Sequence, residues 1–380
     1  MKIGIVCYPT YGGSGVVATE LGKALAQKGH KVHFISYRVP ARLDSFVENI
    51  FYHEVAFAEY PLFEQAPYES ALTSKIVDVT RHEKLDLLHV HYAIPHAATA
   101  YMAKQILKTH GIFLPYITTL HGTDITLVGK DASYEPVVTF SINQSDGVTT
   151  VSDWLRDETY KNFPIEREIE VFPNFIDFNR FHKEKKEHFK KAIAPNGEKI
   201  LIHTSNFRKV KRTDDVVRIF QKVRQESSVK LLLVGDGPER QHMEQLCREL
   251  GVNDDTRFLG KQEAVEELLA VSDLFLMPSE TESFGLAALE AMACQVPVIS
   301  TNAGGLPEIN LNGVTGFMSN VGDVESMAAN TLKLLNNESM LQKFKTQSLK
   351  QAQCFDINNI LPQYEKYYQK IIEKSNQPVA

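Results

Sequence analysis

Two glutamates in the second half of the chain, Glu282 and Glu290, are spaced so that they can serve one ligand. An apolar run precedes them and helix-forming residues follow, which predicts a buried strand, a loop with Glu282 and a helix with Glu290. The backbone N–H groups of Phe284, Gly285 and Leu286 then fall at the helix start, where free amides attract phosphate. Carboxylates beside such a site can accept hydrogen bonds from sugar hydroxyls, so the segment predicts a nucleotide-sugar site.

A glycine-rich loop near the N-terminus is a second candidate for holding an anion. Gly12, Gly13 and Gly15 follow an apolar strand and precede a segment in which apolar residues have helical spacing. Such a loop can hold a phosphate or a carboxylate at the helix start, although the glycines could serve only to make the turn. The G-x-G-x-x-G spacing of dinucleotide sites is incomplete here, which disfavours that class of ligand.

Polar side chains follow two further predicted strands of the first half. Tyr92 follows the strand that contains His91, and His121 and Thr123 follow the next strand along the chain. Functional residues of open α/β sheets collect past the carboxyl ends of the strands, so these residues and Ser14 are candidates for a site. His91 could instead be a partly buried structural histidine, whereas the position of His121 directly after an apolar strand favours a functional role.

The order of predicted elements indicates an α/β protein with two doubly wound domains. Apolar strands alternate with amphipathic helices through both halves, and the length of 380 residues favours two domains. Ser152 precedes one of these helices and is a predicted N-cap. We place the first domain at residues 1–170, the second at 171–355 and an amphipathic C-terminal helix at 356–380.

The composition argues against several classes of protein. The formal net charge is −6, from 41 Lys and Arg against 47 Asp and Glu, whereas nucleic-acid-binding proteins are usually basic. The four cysteines occur singly and no His or Cys spacing is typical of a metal site, which favours reduced thiols in a cytoplasmic protein. No apolar run reaches the length of a membrane span. We therefore expect no nucleic-acid partner and no membrane span, and a homo-oligomeric state stays open.

The segment E-S-F-G-L, with a second glutamate eight positions after the first, resembles the E-x7-E signature of the retaining glycosyltransferases of family 4 in the GT-B superfamily. An ordinary strand, loop and helix with surface glutamates is the alternative for this segment alone, but the order of motifs resembles the family over nearly the full length. The resemblance implies two Rossmann-like domains that face a central cleft, with the acceptor in the first and the nucleotide sugar in the second. It also implies that the C-terminal helix crosses back to the first domain.

The resemblance implies roles for individual residues. Lys211 would neutralise the diphosphate, Glu282 would bind the transferred sugar, Glu290 would hold the ribose, and His121 would lie beside the reacting carbon. His121, Lys211 and Glu282 are therefore the expected catalytic residues. Asn206 stands where the family usually has arginine, which removes one fixed charge from the phosphate site. The expected donor-binding residues are Gly13, Gly15, Asn206, Arg208, Lys211, Gly260, Lys261, Gln262, Glu282, Phe284, Gly285, Leu286 and Glu290.

Four segments together resemble a narrower group, the N-acetylglucosaminyl L-malate synthases of bacillithiol biosynthesis. The segments are YPTYGGSGVVATELG, HVHYAIPHA, HGTDITLVG and SNFRKVKR. The resemblance implies transfer of N-acetylglucosamine from UDP-GlcNAc to the hydroxyl of L-malate, the first step of that pathway. Ser14 at a helix start, and Tyr92 and Thr123 at strand ends, are the candidates for binding the acceptor. We expect no metal cofactor, because Lys211 and a helix N-terminus can meet the charge of the diphosphate.

Three alternatives stay open. A family 4 transferase could use another acceptor, such as inositol phosphate or a lipid-linked sugar. A UDP-sugar epimerase could share the fold, although the E-S-F-G-L stretch argues against it. A non-catalytic nucleotide-sugar sensor could also share the fold, although the presence of Lys211, Glu282 and His121 together argues against that interpretation.

Overall fold

The chain divides into two compact units, Met1–Asn174 with Ile357–Ala380, and Phe175–Asp356. The structure is a computed structural model, and it describes residues 1–43, 46–56, 67–129, 131–184 and 186–375. The predicted division between residues 170 and 171 falls inside a short strand, Ile169–Val171, that belongs to the first unit. Residues 376–380 of the predicted C-terminal helix lie outside the described residues.

The first unit is built on a seven-stranded parallel sheet. Its strands are β1 (Lys2–Val6), β2 (Lys31–Ser36), β3 (Ile50–Glu54), β4 (Leu87–His91), β5 (Tyr116–Leu120), β6 (Gly147–Thr150) and β7 (Ile169–Val171). Its helices before the second unit are α1 (Gly13–Gln27), α2 (Tyr68–Glu83), α3 (Ala98–Thr109), α4 (Glu135–Gln144) and α5 (Asp153–Asn162). The strand order is β3-β2-β1-β4-β5-β6-β7, with β1 paired in parallel to both β2 and β4.

The sequence accounts for the central strands and for one helix start of this sheet. Every residue of β4 and β5 is buried, as expected for central strands of a parallel sheet, whose two faces are both covered by helices. Helix α5 begins where Ser152 Oγ accepts a hydrogen bond from the Leu155 N–H at 3.1 Å, which confirms the predicted N-cap.

The second unit is built on a six-stranded parallel sheet. Its strands are β8 (Lys199–Ser205), β9 (Val229–Gly235), β10 (Thr256–Gly260), β11 (Leu274–Met277), β12 (Val298–Thr301) and β13 (Gly316–Ser319). Its helices are α6 (Glu187–Ile193), α7 (Thr213–Glu226), α8 (Arg240–Glu249), α9 (Val265–Val271), α10 (Leu286–Ala293), α11 (Leu306–Ile309), α12 (Val324–Leu335) and α13 (Glu338–Gln353). The strand order is β10-β9-β8-β11-β12-β13.

The core of the second unit lies between this sheet and its covering helices. Val216, Phe220 and Val223 recur at helical spacing along α7 and bury one face of it against Leu231 and Leu233 of β9. The same spacing of apolar residues therefore favours the helix and creates the apolar face that packs on the sheet.

The C-terminal helix α14 (Ile357–Ser375) belongs to the first unit. Tyr368 packs inside the unit, where its hydroxyl lies 2.7 Å from Nδ1 of His89 on β4. Tyr367 reaches β6, and its hydroxyl donates to the Val148 carbonyl oxygen at 3.4 Å. A polar contact also joins His30 Nε2 to Glu365 Oε1 at 2.8 Å. Among the helices in the described part of the chain, none is long and apolar enough to cross a membrane.

We predict that Tyr368→Phe lowers the free energy of unfolding of the first unit by about 1–3 kcal/mol, because the buried His89 Nδ1 loses its partner. Urea unfolding measured by fluorescence of Trp154, the single tryptophan, reports this unit. Tyr367→Phe is the matched control on the same helix, because its bond is at the long limit of hydrogen bonding. Equal decreases in the free energy of unfolding in Tyr368→Phe and Tyr367→Phe would show that the hydrogen bond between Tyr368 and His89 does not stabilise the unit.

Candidate active site

In the second unit the chain reverses its direction of travel across the sheet between two neighbouring strands. From β8 it proceeds through β9 to β10 on one side, and from β11 through β12 to β13 on the other. The loops after β8 and β11 therefore diverge and leave a crevice at the carboxyl ends of the strands, where open α/β sheets bind ligands. Lys211 lies in the loop region after β8, and Glu282 lies in the loop after β11.

These two loops meet through an ion pair. Lys211 Nζ lies 2.7 Å from Glu282 Oε1, and the Ser279 hydroxyl donates to the same oxygen at 2.8 Å. The backbone supports the pair, because the Glu280 N–H donates to the Val210 carbonyl oxygen at 2.8 Å. The structure thus brings together a cation and a carboxylate that are both predicted site residues.

Gly304 and Gly305, in the loop after β12, contact the backbone of the loop that carries Glu282. The Gly305 N–H donates to the Glu282 carbonyl oxygen at 2.8 Å, and Gly304 has a left-handed backbone with φ of 66°. A side chain at Gly304 would collide with the backbone of Glu282, so only glycine allows this close approach. The loop after β12 therefore fixes the backbone position of Glu282.

Helix α10 starts directly after this loop. Gly285 precedes it in a left-handed conformation with φ of 99°, and Phe284 is buried with its ring edge against Phe355. The first N–H groups of a helix have no intrahelical acceptor, so the amide of Leu286 and its neighbours can receive an anion. Glu290 lies on α10 and is 7% exposed.

The remaining predicted donor residues of this unit lie in the turn after β8 and at the end of β10. Asn206 and Arg208 are exposed in the turn after β8, on either side of the buried Phe207. Gly260 ends β10, which two strands separate from β11, and Lys261 follows it in an exposed loop. Gln262 is also exposed, and its amide donates to the Leu259 carbonyl oxygen at 2.6 Å.

Sequence reasoning missed His203, which supports the turn that carries Asn206. His203 is buried in β8, where Nδ1 lies 2.8 Å from the Leu276 carbonyl oxygen and Nε2 lies 2.8 Å from Ser205 Oγ. Ser205 Oγ in turn accepts the Phe207 N–H at 3.2 Å. Burial lowers the pKa of His203 to about 4, so the ring is neutral and can bridge the two strands without a charge.

The first unit shows the same reversal of chain direction between β1 and β4. The loop after β1 leads into α1, whose second residue is Ser14, and Tyr92 directly follows β4. Ser14 Oγ and the Tyr92 hydroxyl are 2.7 Å apart, and the Thr123 side chain lowers the pKa of the same phenol. The structure thus brings together all three residues that the sequence assigns to the acceptor.

Tyr92 occupies an unusual backbone conformation, with φ of 85°. A non-glycine residue with positive φ costs on the order of 1–3 kcal/mol and is frequent at functional sites. Burial raises the pKa of the Tyr92 phenol to about 12, so its hydroxyl keeps its proton and can donate a hydrogen bond. Its ring lies between Tyr8 and His121, with centroids 5.5 and 5.3 Å away.

The glycines of the N-terminal loop have separable structural roles. Gly12 is the N-cap of α1, and Gly13 is the exposed first residue of the helix. Gly15 is buried against the carbonyl oxygens of Tyr8 and Thr10, and a side chain at Gly15 would collide with both. Gly15 therefore allows the loop after β1 to fold back closely over the start of α1.

A line of stacked histidines runs beneath this site. His89 and His91 have ring centroids 4.5 Å apart, and His91 and His121 have centroids 5.0 Å apart. His91 Nδ1 lies 2.8 Å from His121 Nε2, and His96 Nδ1 lies 2.5 Å from the His91 carbonyl oxygen. Burial lowers the pKa of His121 to about 3 and that of His91 well below its usual range, so both rings are neutral at pH 7.

Asp124 holds the loops after β4 and β5 together, and sequence reasoning did not assign it a role. Its carboxylate accepts N–H groups from Ala93 at 2.9 Å, Gly122 at 3.0 Å and His121 at 3.3 Å. Burial raises the pKa of Asp124, while these donors oppose the rise. Asp124 is the last residue of the H-G-T-D motif, so the sequence could have drawn attention to it. Its contact with Ala93 depends on the pairing of β4 with β5, which the motif does not contain.

We predict a steep acid destabilisation of the first unit from His89, His91 and His96, which are fully buried with pKa values lowered by burial. The unfolded chain binds protons below about pH 6.5, whereas the native rings stay neutral until about pH 4 or lower. The free energy of unfolding should therefore fall with decreasing pH by about 1.4 kcal/mol per pH unit for each histidine.

Urea unfolding followed by Trp154 fluorescence between pH 7.5 and pH 5 measures this slope. His96→Asn should reduce the slope by the contribution of one histidine, about 1.4 kcal/mol per pH unit. His82→Asn is the control, because His82 is exposed on α2. A slope that His96→Asn leaves unchanged would contradict the assignment of a buried neutral ring.

The chain matches two family models that together span most of its length. The model described as Glycosyltransferase Family 4 matches residues 11–180, and the model described as Glycosyl transferases group 1 matches residues 184–351. The chain is 48% identical over 374 residues to the N-acetyl-alpha-D-glucosaminyl L-malate synthase of Bacillus anthracis, which covers 98% of this chain and 97% of that protein. It is 24% identical over 403 residues to the D-inositol 3-phosphate glycosyltransferase of Thermobispora bispora, covering 97% and 92% of the two chains.

Two solved structures show the class of fold. Anabaena Alr3699/HepE in complex with UDP-glucose has a TM-score of 0.83 and 21% identity, covering 97% of this chain and 100% of that chain. Sucrose-phosphate synthase from Thermosynechococcus elongatus has a TM-score of 0.82 and 18% identity, covering 98% and 100%. These two structures confirm the predicted GT-B fold. The 48% identity to the Bacillus anthracis enzyme shows the family as well. The chain therefore belongs to glycosyltransferase family 4, in the group that contains the N-acetyl-alpha-D-glucosaminyl L-malate synthase of Bacillus anthracis.

Proposed function

We propose that the protein is a retaining glycosyltransferase that moves N-acetylglucosamine from UDP-GlcNAc to the hydroxyl of L-malate, releasing UDP. The observation that carries the proposal is the contact between Ser14 and Tyr92 at the start of α1. The 48% identity to an enzyme named for N-acetylglucosamine and L-malate supports the same assignment.

The acceptor site suits a small dianion with one hydroxyl. Ser14, Tyr92 and Thr123 offer hydroxyl donors, and the positive end of the α1 dipole adds a favourable potential for a carboxylate. Short donors on a strained, tightly packed loop hold fixed positions, which suits a small acid better than a lipid or a long glycan.

The donor site suits a nucleoside diphosphate sugar. We propose that Lys211 and the N-terminus of α10 meet the diphosphate, and that Arg208 replaces the charge that Asn206 lacks. Before the donor arrives, Glu282 and Ser279 already hold Lys211 in place, so the cation does not have to be ordered by the ligand. These groups provide the charge compensation for a leaving diphosphate, and the proposal therefore includes no metal ion.

The proposed reaction forms one bond and breaks one bond at the anomeric carbon. The bond from that carbon to the β-phosphate oxygen breaks, and the malate hydroxyl oxygen attacks from the same face. The leaving phosphate takes the proton of the malate hydroxyl, so the products are GlcNAc-malate and UDP. Glu282 and Glu290 bind hydroxyls in this scheme, which leaves no carboxylate pair for the acid and nucleophile of a double displacement.

We propose a hydrogen-bond donor role for His121, which the contact with His91 supports. Both rings are neutral, so one of the two facing nitrogens of His91 and His121 carries the proton of their contact. His91 Nε2 is buried and has no partner among the described residues, and a buried N–H without an acceptor is rare. We therefore assign the shared proton to His91 Nδ1, which leaves the proton of His121 on its own Nδ1. In that tautomer His121 donates a hydrogen bond to the substrates and does not act as a base.

Thiol chemistry supports a cytoplasmic location for this reaction. Cys7, Cys247, Cys294 and Cys354 are all free thiols, which persist in reducing compartments.

We predict that Glu290→Gln weakens UDP binding by about 1.5–3 kcal/mol, because a ribose hydroxyl loses a charged acceptor. Glu282→Gln is the matched comparison, and it should raise the KM for UDP-GlcNAc more than it weakens binding of UDP alone. Calorimetric titration with UDP and initial rates with UDP-GlcNAc separate the two effects. Unchanged UDP affinity in Glu290→Gln would show that Glu290 does not hold the ribose.

The product should keep the α configuration of the donor, which the anomeric coupling in the proton NMR spectrum reports. His121→Asn keeps a side-chain N–H donor and should retain more activity than His121→Phe, which has none. The α configuration should persist in His121→Asn. A β-linked product from the native protein would overturn the same-face attack, and equal rates for the two variants would overturn the donor role.

L-malate should be glycosylated far faster than D-malate or inositol phosphate, because the hydroxyl must lie about 3–3.5 Å from the anomeric carbon. Mass spectrometry of each reaction with UDP-GlcNAc measures these rates. Tyr92→Phe and Ser14→Ala should raise the KM for malate more than that for UDP-GlcNAc. Comparable turnover of inositol phosphate, or no turnover of L-malate, would refute the acceptor and leave only the glycosyltransferase family.

A further inference from the structure

Two histidines and a glutamate form a compact cluster at the edge of the first sheet. His33 lies on β2, His53 lies on the edge strand β3, and Glu83 is the last residue of α2. One nitrogen or carboxylate oxygen from each side chain lies within 4.8 Å of the others. The proposed transfer reaction uses none of these residues.

The pairing of β2 with β3 explains why the two imidazoles meet. His33 is opposite Phe51, and Ile35 is opposite His53, so both histidines point to the same face of the sheet. His33 Nδ1 and His53 Nε2 are 3.0 Å apart. The His33 ring also stacks on Phe51, with centroids 4.8 Å apart and an interplanar angle of 15°. Packing therefore holds the orientation of His33.

His33 is an unusual buried polar group. It is 1% exposed, and its Nδ1 is the nitrogen that faces His53. His53 and Glu83 are half-buried. The cluster thus combines a buried inner nitrogen with two ligand groups that are partly open to solvent.

We propose that His33, His53 and Glu83 bind a divalent transition-metal ion such as Zn²⁺. Two nitrogens that each lie about 2.0–2.1 Å from one Zn²⁺ are roughly 3.3 Å apart at the tetrahedral angle, close to the observed 3.0 Å. A small rotation of Glu83 completes a set of two histidines and one carboxylate, which is a known donor set for zinc and for iron. Water can occupy the remaining positions on the exposed side.

The electrostatic surroundings select the class of ion. Burial lowers the pKa of His33 to about 4 and also lowers the pKa of His53, so lone pairs are available at neutral pH. Only one carboxylate belongs to the donor set, and the charges of Lys2 and Lys31 act on His33. Binding must therefore come from imidazole nitrogen, which favours Zn²⁺, Ni²⁺ or Cu²⁺ over the oxygen-preferring Mg²⁺ and Ca²⁺.

The bound ion would act as a cross-link. It would join the edge strand β3 to β2 and to the end of α2, which follows β3 in the chain. An ion that binds only the native state stabilises it in proportion to its occupancy, so metal binding should raise the melting temperature. The transfer reaction itself should not depend on the ion.

The test uses untagged, chelator-stripped protein titrated with Zn²⁺ against a chromophoric chelator. We expect one saturable site per chain, a higher Tm with Zn²⁺, and no such site for Mg²⁺. His53→Ala and Glu83→Gln should each weaken binding by about tenfold or more. His82→Ala is the matched control, because His82 is exposed beside Glu83 but outside the cluster, and it should bind as the native protein does.

Co²⁺ provides a second readout, because its visible spectrum reports the ligand set. The native protein and His82→Ala should give the same spectrum, and the Glu83→Gln spectrum should differ. Circular dichroism of each variant establishes that it is folded. Absence of saturable Zn²⁺ binding, or equal affinity in the native protein, His53→Ala and Glu83→Gln, would overturn the site. Neither result would bear on the acceptor, which is tested without Zn²⁺.

Discussion

The reversal of chain direction at the centre of each sheet is the constraint on which the rest of the structure depends. β1 and β4 in the first unit, and β8 and β11 in the second, are neighbours whose following loops leave in opposite directions. Each reversal opens a crevice at the carboxyl ends of the strands. A side-chain contact spans each crevice, between Ser14 and Tyr92 in the first unit and between Lys211 and Glu282 in the second.

Burial sets the chemistry of the first unit. The histidines beneath Tyr92 are neutral because burial disfavours their charged forms, and they form a line from α14 to His121. This arrangement makes the unit sensitive to acid, since the unfolded chain takes up protons that the native rings do not. The same neutrality leaves His121 with one ring N–H, which is the donor in the proposed reaction. Sensitivity to acid and the neutral histidine rings at the site therefore have one physical cause.

The sequence was sufficient to predict features that depend on local pattern. The alternation of strands and helices predicted two parallel sheets, and the helix start after Gly285 followed from residues close together in the chain. The helix N-cap at Ser152 was predicted for the same reason. These features need only propensity and spacing, which a single sequence contains.

Features that depend on distant residues could not be predicted. His89 and Tyr368 are 279 positions apart, and their contact requires that α14 packs on the first unit. His33 and His53 show no metal-ligand spacing in the sequence, because the register of β2 and β3 brings them together. Asp124 was visible in its motif, but its partner at Ala93 lies 31 positions away on the neighbouring loop.

Hydrogen exchange with each substrate added separately tests the central claim that each crevice takes its own ligand. L-malate should slow exchange of amides at residues 12–15, 92–93 and 121–124. UDP should slow exchange at residues 206–211 and 282–290. The assignment would be contradicted if L-malate protected only residues 206–211 and 282–290. It would also be contradicted if UDP protected only residues 12–15, 92–93 and 121–124.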